Sequence, residues 1–156
     1  MLLFGVNVAF SMAVWGYVLA RWLRPWMARQ PLGAALTPIL LLHMTRANGA
    51  GFVIEGVASA QLEAAMAVPA ATGDLLAASL AALALLGFRR NEAAGRAMAW
   101  LFTVVGLCDL AIVATLVAAY RVDPGDLGAM YFVVVGVVPG LMLTHLLALQ
   151  TLRNKQ

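Results

Sequence analysis

The chain has 156 residues, of which 63% are hydrophobic and 11% are charged, and it therefore lacks the polar surface that a soluble domain of this length needs. Together with a mean hydropathy of +0.91, this composition predicts an integral membrane protein with a single domain, residues 1–156. The net charge of +3 does not indicate nucleic-acid binding, because the basic residues lie in short clusters between apolar segments.

Five apolar segments are long enough to cross a bilayer, which takes roughly 20 mostly apolar residues per helix. Because backbone polar groups cannot stay unpaired in hydrocarbon, each segment is predicted to be a helix, and the fold class is an all-α bundle of five transmembrane helices. No basic region precedes the first segment and no small-residue cleavage site follows it, so we expect a retained helix. In chain order the predicted spans are residues 2–20, 34–58, 71–88, 97–120 and 127–151.

Basic residues alternate between the two sides of this predicted bundle. Three arginines lie between spans one and two, three more lie at the connection of spans three and four, and two basic residues follow span five. The remaining two connections hold one basic residue, Arg121, against Glu63, Asp123 and Asp126. By the positive-inside rule the N-terminus is expected outside and the C-terminus in the cytoplasm. The alanine- and arginine-rich, lysine-poor composition favours a multi-pass protein of a bacterial inner (cytoplasmic) membrane.

The second span is the most polar of the five, since it contains His43, Arg46, Asn48 and Glu55. A charge near the bilayer centre costs a few kcal/mol at least, so such groups usually pair or line a site. On a regular helix His43 and Arg46 share one side, whereas Asn48 and Glu55 lie on another. Asn48 and Glu55 are therefore candidates for a separate polar contact or a proton relay nearer the outside.

Three further ionisable residues lie in or beside other spans. Counting about 1.5 Å per residue puts Arg46 and Asp109 both roughly 18 Å from the inner ends of their spans, so we expect them to pair near the midplane. The same count puts His43 and His145 roughly 14 and 9 Å from the inner surface. Asp74, where span three begins, is expected to be an N-cap or first-turn acid, and Asp74 and Asp109 are both proton-relay candidates.

His43 and His145 are the only two histidines, and their similar predicted depth on different helices is the pattern of a bis-His haem b site. In that interpretation both imidazoles ligate the haem iron, and Ala47, Ala50 and Gly140 leave room for the ring. The propionates are expected to meet Arg46, Arg89 or Arg90. Two histidines without a third ligand make a poor site for any other metal. The alternative is that each histidine only hydrogen-bonds a neighbouring helix.

The sequence therefore predicts a buried polar site in the inner half of the bundle that binds a ligand or cofactor, most concretely haem b for electron transfer with a membrane quinone. Three alternatives stay open: a proton-linked transporter or channel subunit, a membrane enzyme with a histidine acid/base acting on a lipid-soluble substrate, and an accessory subunit with structural polar residues. The expected partners are the lipid bilayer and a quinone or another lipid-soluble molecule. A small-residue face at Ala77, Ala81 and Ala84 favours a homo-oligomer or a larger membrane complex.

Overall fold

A computed structural model describes residues 2–155, and this part of the chain is all-helical, with 86% of it in helix. We number the α-helices in chain order and name the remaining pieces by their type. They are α1 (Leu2–Ala28, which contains a π-helical turn at Leu19–Leu23), α2 (Leu32–Met44), a 3₁₀ segment (Thr45–Val53), α3 (Ala64–Arg90), α4 (Glu92–Ala119), a short 3₁₀ turn (Pro124–Leu127), α5 (Met130–Gly136) and α6 (Val138–Asn154).

Helices α1, α3 and α4 are each long and apolar enough to cross a membrane. Helices α5 and α6 pass the same test together, but they are bent by 41° where the chain breaks at Val137. Pro139 in the first turn of α6 explains the bend, because proline has no N–H to donate. The indole Nε1 of Trp15 donates to Gly136 O at 2.8 Å and so pairs a carbonyl at this break. The prediction of a helical membrane protein is thus confirmed.

The second predicted span is not one regular helix. Helix α2 ends at Met44, and the chain continues as a 3₁₀ segment of 9 residues, which is long for this geometry. The sequence "TRANGAG" explains the change, because glycine and asparagine are weak α-helix formers. Since a 3₁₀ helix turns through a different angle per residue, the predicted grouping of side chains on a single helix face fails beyond Thr45.

Helix α3 begins at Ala64, before residue 71 where the third predicted span starts, and so contains Pro69. Proline in the second turn removes only one backbone hydrogen bond, so the helix can continue through it. The prediction of Asp74 as an N-cap or first-turn acid was therefore wrong, because Asp74 lies nearly three turns inside the helix.

Helices α3 and α4 form a tightly packed hairpin. Asn91 caps α4 by accepting a hydrogen bond from Ala94 N at 2.8 Å, and a Cβ on Gly87 would lie 2.9 Å from Gly95 Cα. The small-residue face of α3 is used inside the chain, since Ala77, Ala81 and Ala84 are fully buried. It is therefore unavailable to a second copy, contrary to the oligomer contact expected from sequence.

Two apolar clusters lie at opposite ends of the bundle. The first, near the arginine-rich connections, includes Leu36, Leu40, Phe102 and Leu152 among its buried members. The second, at the other end, is built around Phe52, Ala67, Ala70, Ala71, Leu127 and Met130. The buried polar residues lie between these two clusters, so the fold places a charged layer between two apolar ones.

Candidate functional site: a buried Arg–Asp–Asp–His cluster beside an apolar cavity

Arg46, in the first turn of the 3₁₀ segment, is the centre of the buried polar layer and is 3% exposed. Its Nε donates to Asp74 Oδ1 at 2.7 Å, and its Nη2 donates to Asp109 Oδ2. Its Nη1 lies 3.4 Å from His145 Nε2. The structure thus brings together Arg46, Asp109 and His145 from the sequence analysis and adds Asp74, so that one guanidinium connects α3, α4 and α6.

The carboxylates differ from the guanidinium in their access to open space. The side chain of Arg46 is 1% exposed, whereas those of Asp74 and Asp109 are 18% and 10% exposed. Each carboxylate uses one oxygen for Arg46, and among residues 2–155 the other oxygens, Asp74 Oδ2 and Asp109 Oδ1, accept no hydrogen bond. Arg46 is therefore the most deeply buried of the three side chains, and each carboxylate keeps one oxygen without a hydrogen bond.

Three glycines make the space in which the charged side chains lie. A Cβ on Gly49 would overlap the Asp74 carboxylate, one on Gly73 would overlap Asp109 Oδ1, and one on Gly106 would overlap the His145 ring, each at less than 3.0 Å. No real Cβ tolerates such distances without movement of its neighbour. The absence of a side chain at three positions on three elements is thus part of how the sequence builds this cluster.

The two histidines pack against each other next to the Arg46 cluster. Their ring centroids lie 4.1 Å apart at 54°, and Phe102 packs against both rings. His43 Nε2 lies 2.9 Å from Thr144 Oγ1, whose own proton is directed at Gly140 O at 2.7 Å. Thr144 therefore accepts from His43 Nε2–H.

His145 takes the opposite tautomer from His43. Arg46 can only donate, so the Nε2 of His145 that faces it carries a lone pair, and the ring proton lies on Nδ1. The Nδ1 atoms of both histidines are buried and lack a hydrogen-bond partner within the described residues. Both imidazoles are accordingly neutral side chains packed in the interior, and neither borders open space.

These residues do not fit a bis-His haem. Axial ligation needs the haem plane between the two imidazoles, but here the rings are in direct contact at 4.1 Å. Gly140, which was expected to leave room for haem, is covered by the Trp15 indole. Among residues 2–155 no group of three or more His, Cys, Asp or Glu side chains is arranged to hold a metal ion.

Asn48 and Glu55 lie outside the cluster, and both are exposed. The 3₁₀ geometry turns Asn48 away from the core, and Glu55 follows the end of that segment at Val53. Phe102, Thr144 and the three glycines belong to the site but were not predicted from the sequence. The only available signal was local, since Thr144 directly precedes His145.

A cavity of about 350 Å³ lies beside the charged cluster, and Arg46, Asp74 and Asp109 form its base. Its walls are aliphatic or aromatic side chains from the helices around it, and it ends near the short 3₁₀ turn at Pro124 and Leu127. The wall residues include Phe4, Val8 and Met12 of α1, Val113 and Val117 of α4, and Met142 of α6. The site therefore combines a mostly apolar cavity with two carboxylates at one end, which is the usual composition of a small-molecule pocket.

An all-helical chain with several bilayer-length apolar helices and a charged cluster buried among them defines the class of membrane-associated helical proteins. Residues 3–153 match the model of the family described as "Domain of unknown function (DUF8737)", and the chain belongs to that family. No curated protein matches the chain, and no solved structure does.

Proposed function

We propose that the protein crosses a bacterial inner membrane five times, with its N-terminus outside and its C-terminus in the cytoplasm. Helix α2 and the 3₁₀ segment together span roughly 38 Å at about 1.5 and 2.0 Å per residue, which supports a second crossing despite the irregular helix. The bent α5–α6 pair supplies the fifth crossing. A reporter that is active only in the cytoplasm is expected to be active when it is fused to the C-terminus. If such a fusion is inactive and a reporter that works only in the periplasm is active there, this orientation is wrong.

Within that topology, we propose that the protein binds a lipid-soluble small molecule in the cavity, with a hydrogen-bond donor of the ligand facing the carboxylates. The observation that carries this proposal is that Asp74 and Asp109 share one guanidinium, that both line an apolar cavity, and that each has one oxygen that accepts no hydrogen bond among residues 2–155. A free carboxylate oxygen accepts hydrogen bonds only, so it selects a donor. A quinol, with an apolar body and hydroxyl donors, falls within this ligand class.

The packing of α1 supports entry from the lipid. No residue of Leu2–Val18 is buried, and within residues 2–155 this helix makes its main contacts with α5 and α6 and little contact with α4. The cavity is lined on one side by Phe4, Val8 and Met12 of α1 and on another by α4. A lipid-soluble molecule can therefore pass between α1 and α4 after small movements of a weakly packed helix.

Proton-linked transport is the second candidate function, and the excess of one carboxylate over the guanidinium favours it. An uncompensated buried charge is costly, so such a site exchanges a proton or another cation readily. The enzymatic alternative has less support, because neither His43 nor His145 borders the cavity and both are fully buried. Catalysis by an acid/base histidine would require it to reach the substrate.

A photoreactive decanol in detergent or nanodiscs tests the binding proposal. Labelling is expected on cavity-lining residues of α1 and α4 and is expected to be competed by unlabelled decanol. Val113→Trp fills the cavity and should abolish this labelling, whereas Ile112→Trp, next in sequence but 55% exposed and outside the cavity, should not. Labelling that is spread over exposed side chains and unchanged in Val113→Trp would overturn the proposal.

A further inference from the structure

The charge balance at the base of the cavity is unequal. Arg46 contributes one positive charge, while Asp74 and Asp109 contribute two negative charges when both are ionised. His43 and His145, the other titratable groups of this layer, are fully buried and their Nδ1 atoms have no hydrogen-bond partner within the described residues, so both imidazoles are neutral. Arg46 is also the only basic residue that lines the cavity in the described part of the chain. One negative charge therefore remains without a protein partner.

The position of that excess charge determines which ligands the site can distinguish. The side chains of Asp109 and Asp74 are only 10% and 18% exposed, and both residues line the cavity. The Arg46 side chain is 1% exposed and engages both carboxylates, so its charge is already paired and attracts an anion in the cavity only weakly. In a low-dielectric space the attraction of a cation and the repulsion of an anion are both strong.

The walls identify the rest of the ligand. A bare divalent cation would need about six oxygen ligands, and the cavity offers only two carboxylate side chains among aliphatic ones. An organic cation needs fewer polar contacts, because its apolar part is stabilised by packing against Val113, Val117 and Met142, away from water. A volume of about 350 Å³ is at the small end of known ligand pockets, so the apolar part of the ligand is a medium-length chain or a single small ring system.

We infer that the cavity takes an amphiphilic monocation, with a primary ammonium group facing the carboxylates of Asp74 and Asp109 and an apolar part along the aliphatic walls. This inference rests on the proposed ligand-binding function and names its substrate class. Without a ligand, a proton neutralises the excess charge on one carboxyl group. When the ammonium group binds, that carboxyl group releases its proton to water and no covalent bond of the ligand changes.

Three decyl compounds that differ only in the head group test the inference: decylamine, decanol and decanoate. Titration calorimetry of the purified protein is expected to rank their affinities as ammonium, then alcohol, then carboxylate. Repeating the amine titration in buffers of different ionisation enthalpy should show release of up to one proton per ammonium bound. Asp109→Asn should weaken decylamine roughly tenfold to a hundredfold, the value of a charge-assisted hydrogen bond, with a much smaller effect on decanol. Glu55→Gln, which removes an exposed carboxylate outside the cavity, should change neither.

The outcomes separate this inference from the function on which it rests. If decanol binds at the cavity and decylamine binds no tighter, or is insensitive to Asp109→Asn, the cationic assignment is wrong and the ligand pocket stands. If none of the three compounds binds the wild-type protein, both proposals fail. Asp74→Asn provides a second variant, expected to weaken decylamine in the same direction, should Asp109→Asn not fold.

Discussion

Gly106→Ala is the most direct test of how the charged cluster is packed. Gly106 lies on α4 where the His145 ring crosses it, and an added Cβ would overlap Nε2 and Cε1 of that ring. The same Cβ would lie 3.3 Å from Arg46 Nη1, which is tighter than an ordinary contact. His145 cannot simply swing aside, because His43 and Phe102 pack against its ring at 4.1 and 4.7 Å between centroids.

The expected cost follows from this lack of free space. Forcing an extra methyl group into a closely packed interior typically costs about 1–3 kcal/mol. For a chain of this length, that corresponds to a fall in melting temperature of roughly 2–12 °C. Elsewhere the same substitution should help slightly, since alanine in a helix is better than glycine by roughly 0.5–1 kcal/mol.

Gly16→Ala in α1 is the matched control, because nothing lies within 4 Å of its added Cβ. Thermal unfolding of both variants in the same detergent, followed by circular dichroism, measures the difference. We expect Gly106→Ala to melt below the wild-type protein and Gly16→Ala to melt at or slightly above it. Equal or higher stability of Gly106→Ala would show that His145 and Arg46 do not lie against α4 as described.

The unequal charges predict different losses of stability for the two partners of the ion pair. Arg46→Gln leaves two unpaired carboxylates and should lower the free energy of unfolding by about 3–5 kcal/mol. Asp109→Asn leaves Arg46 paired with Asp74 and should lower it by much less. In equilibrium unfolding, the double variant should regain part of the Arg46→Gln loss, and strictly additive free energies would contradict the shared pairing. Thr144→Val removes the acceptor of the buried His43 Nε2–H and should cost about 1–3 kcal/mol. Thr144→Ser keeps the hydroxyl group and should stay close to wild type, so similar melting temperatures for the two Thr144 variants would argue against this hydrogen bond.

The helical membrane class could be predicted from the sequence because hydropathy is a local property, summed over about 20 consecutive residues. The free-energy cost of burying a charge in lipid is also high enough that single polar residues within a span indicate a pair or a site. For that reason His43, Arg46, Asp109 and His145 could be chosen before any contact was known. Equal depth counted along regular helices was sufficient to suggest Arg46 and Asp109 as partners, because both lie within or beside well-formed helical turns.

Sequence alone did not determine the contacts of this cluster, because they depend on backbone geometry that hydropathy does not record. The change to 3₁₀ at Thr45 leaves Asn48 and Glu55 exposed, not in the separate polar contact expected for them, and the continuation of α3 through Pro69 brings Asp74 into the polar layer. The direct contact of the His43 and His145 rings, which leaves no space for haem, results from three-dimensional packing across α2, α4 and α6. Which polar residues lie in the membrane, and at what approximate depth, is thus determined by local sequence. The pairing of Asp74 with Arg46, the contact between the two histidines and the cavity arise only when distant segments pack together.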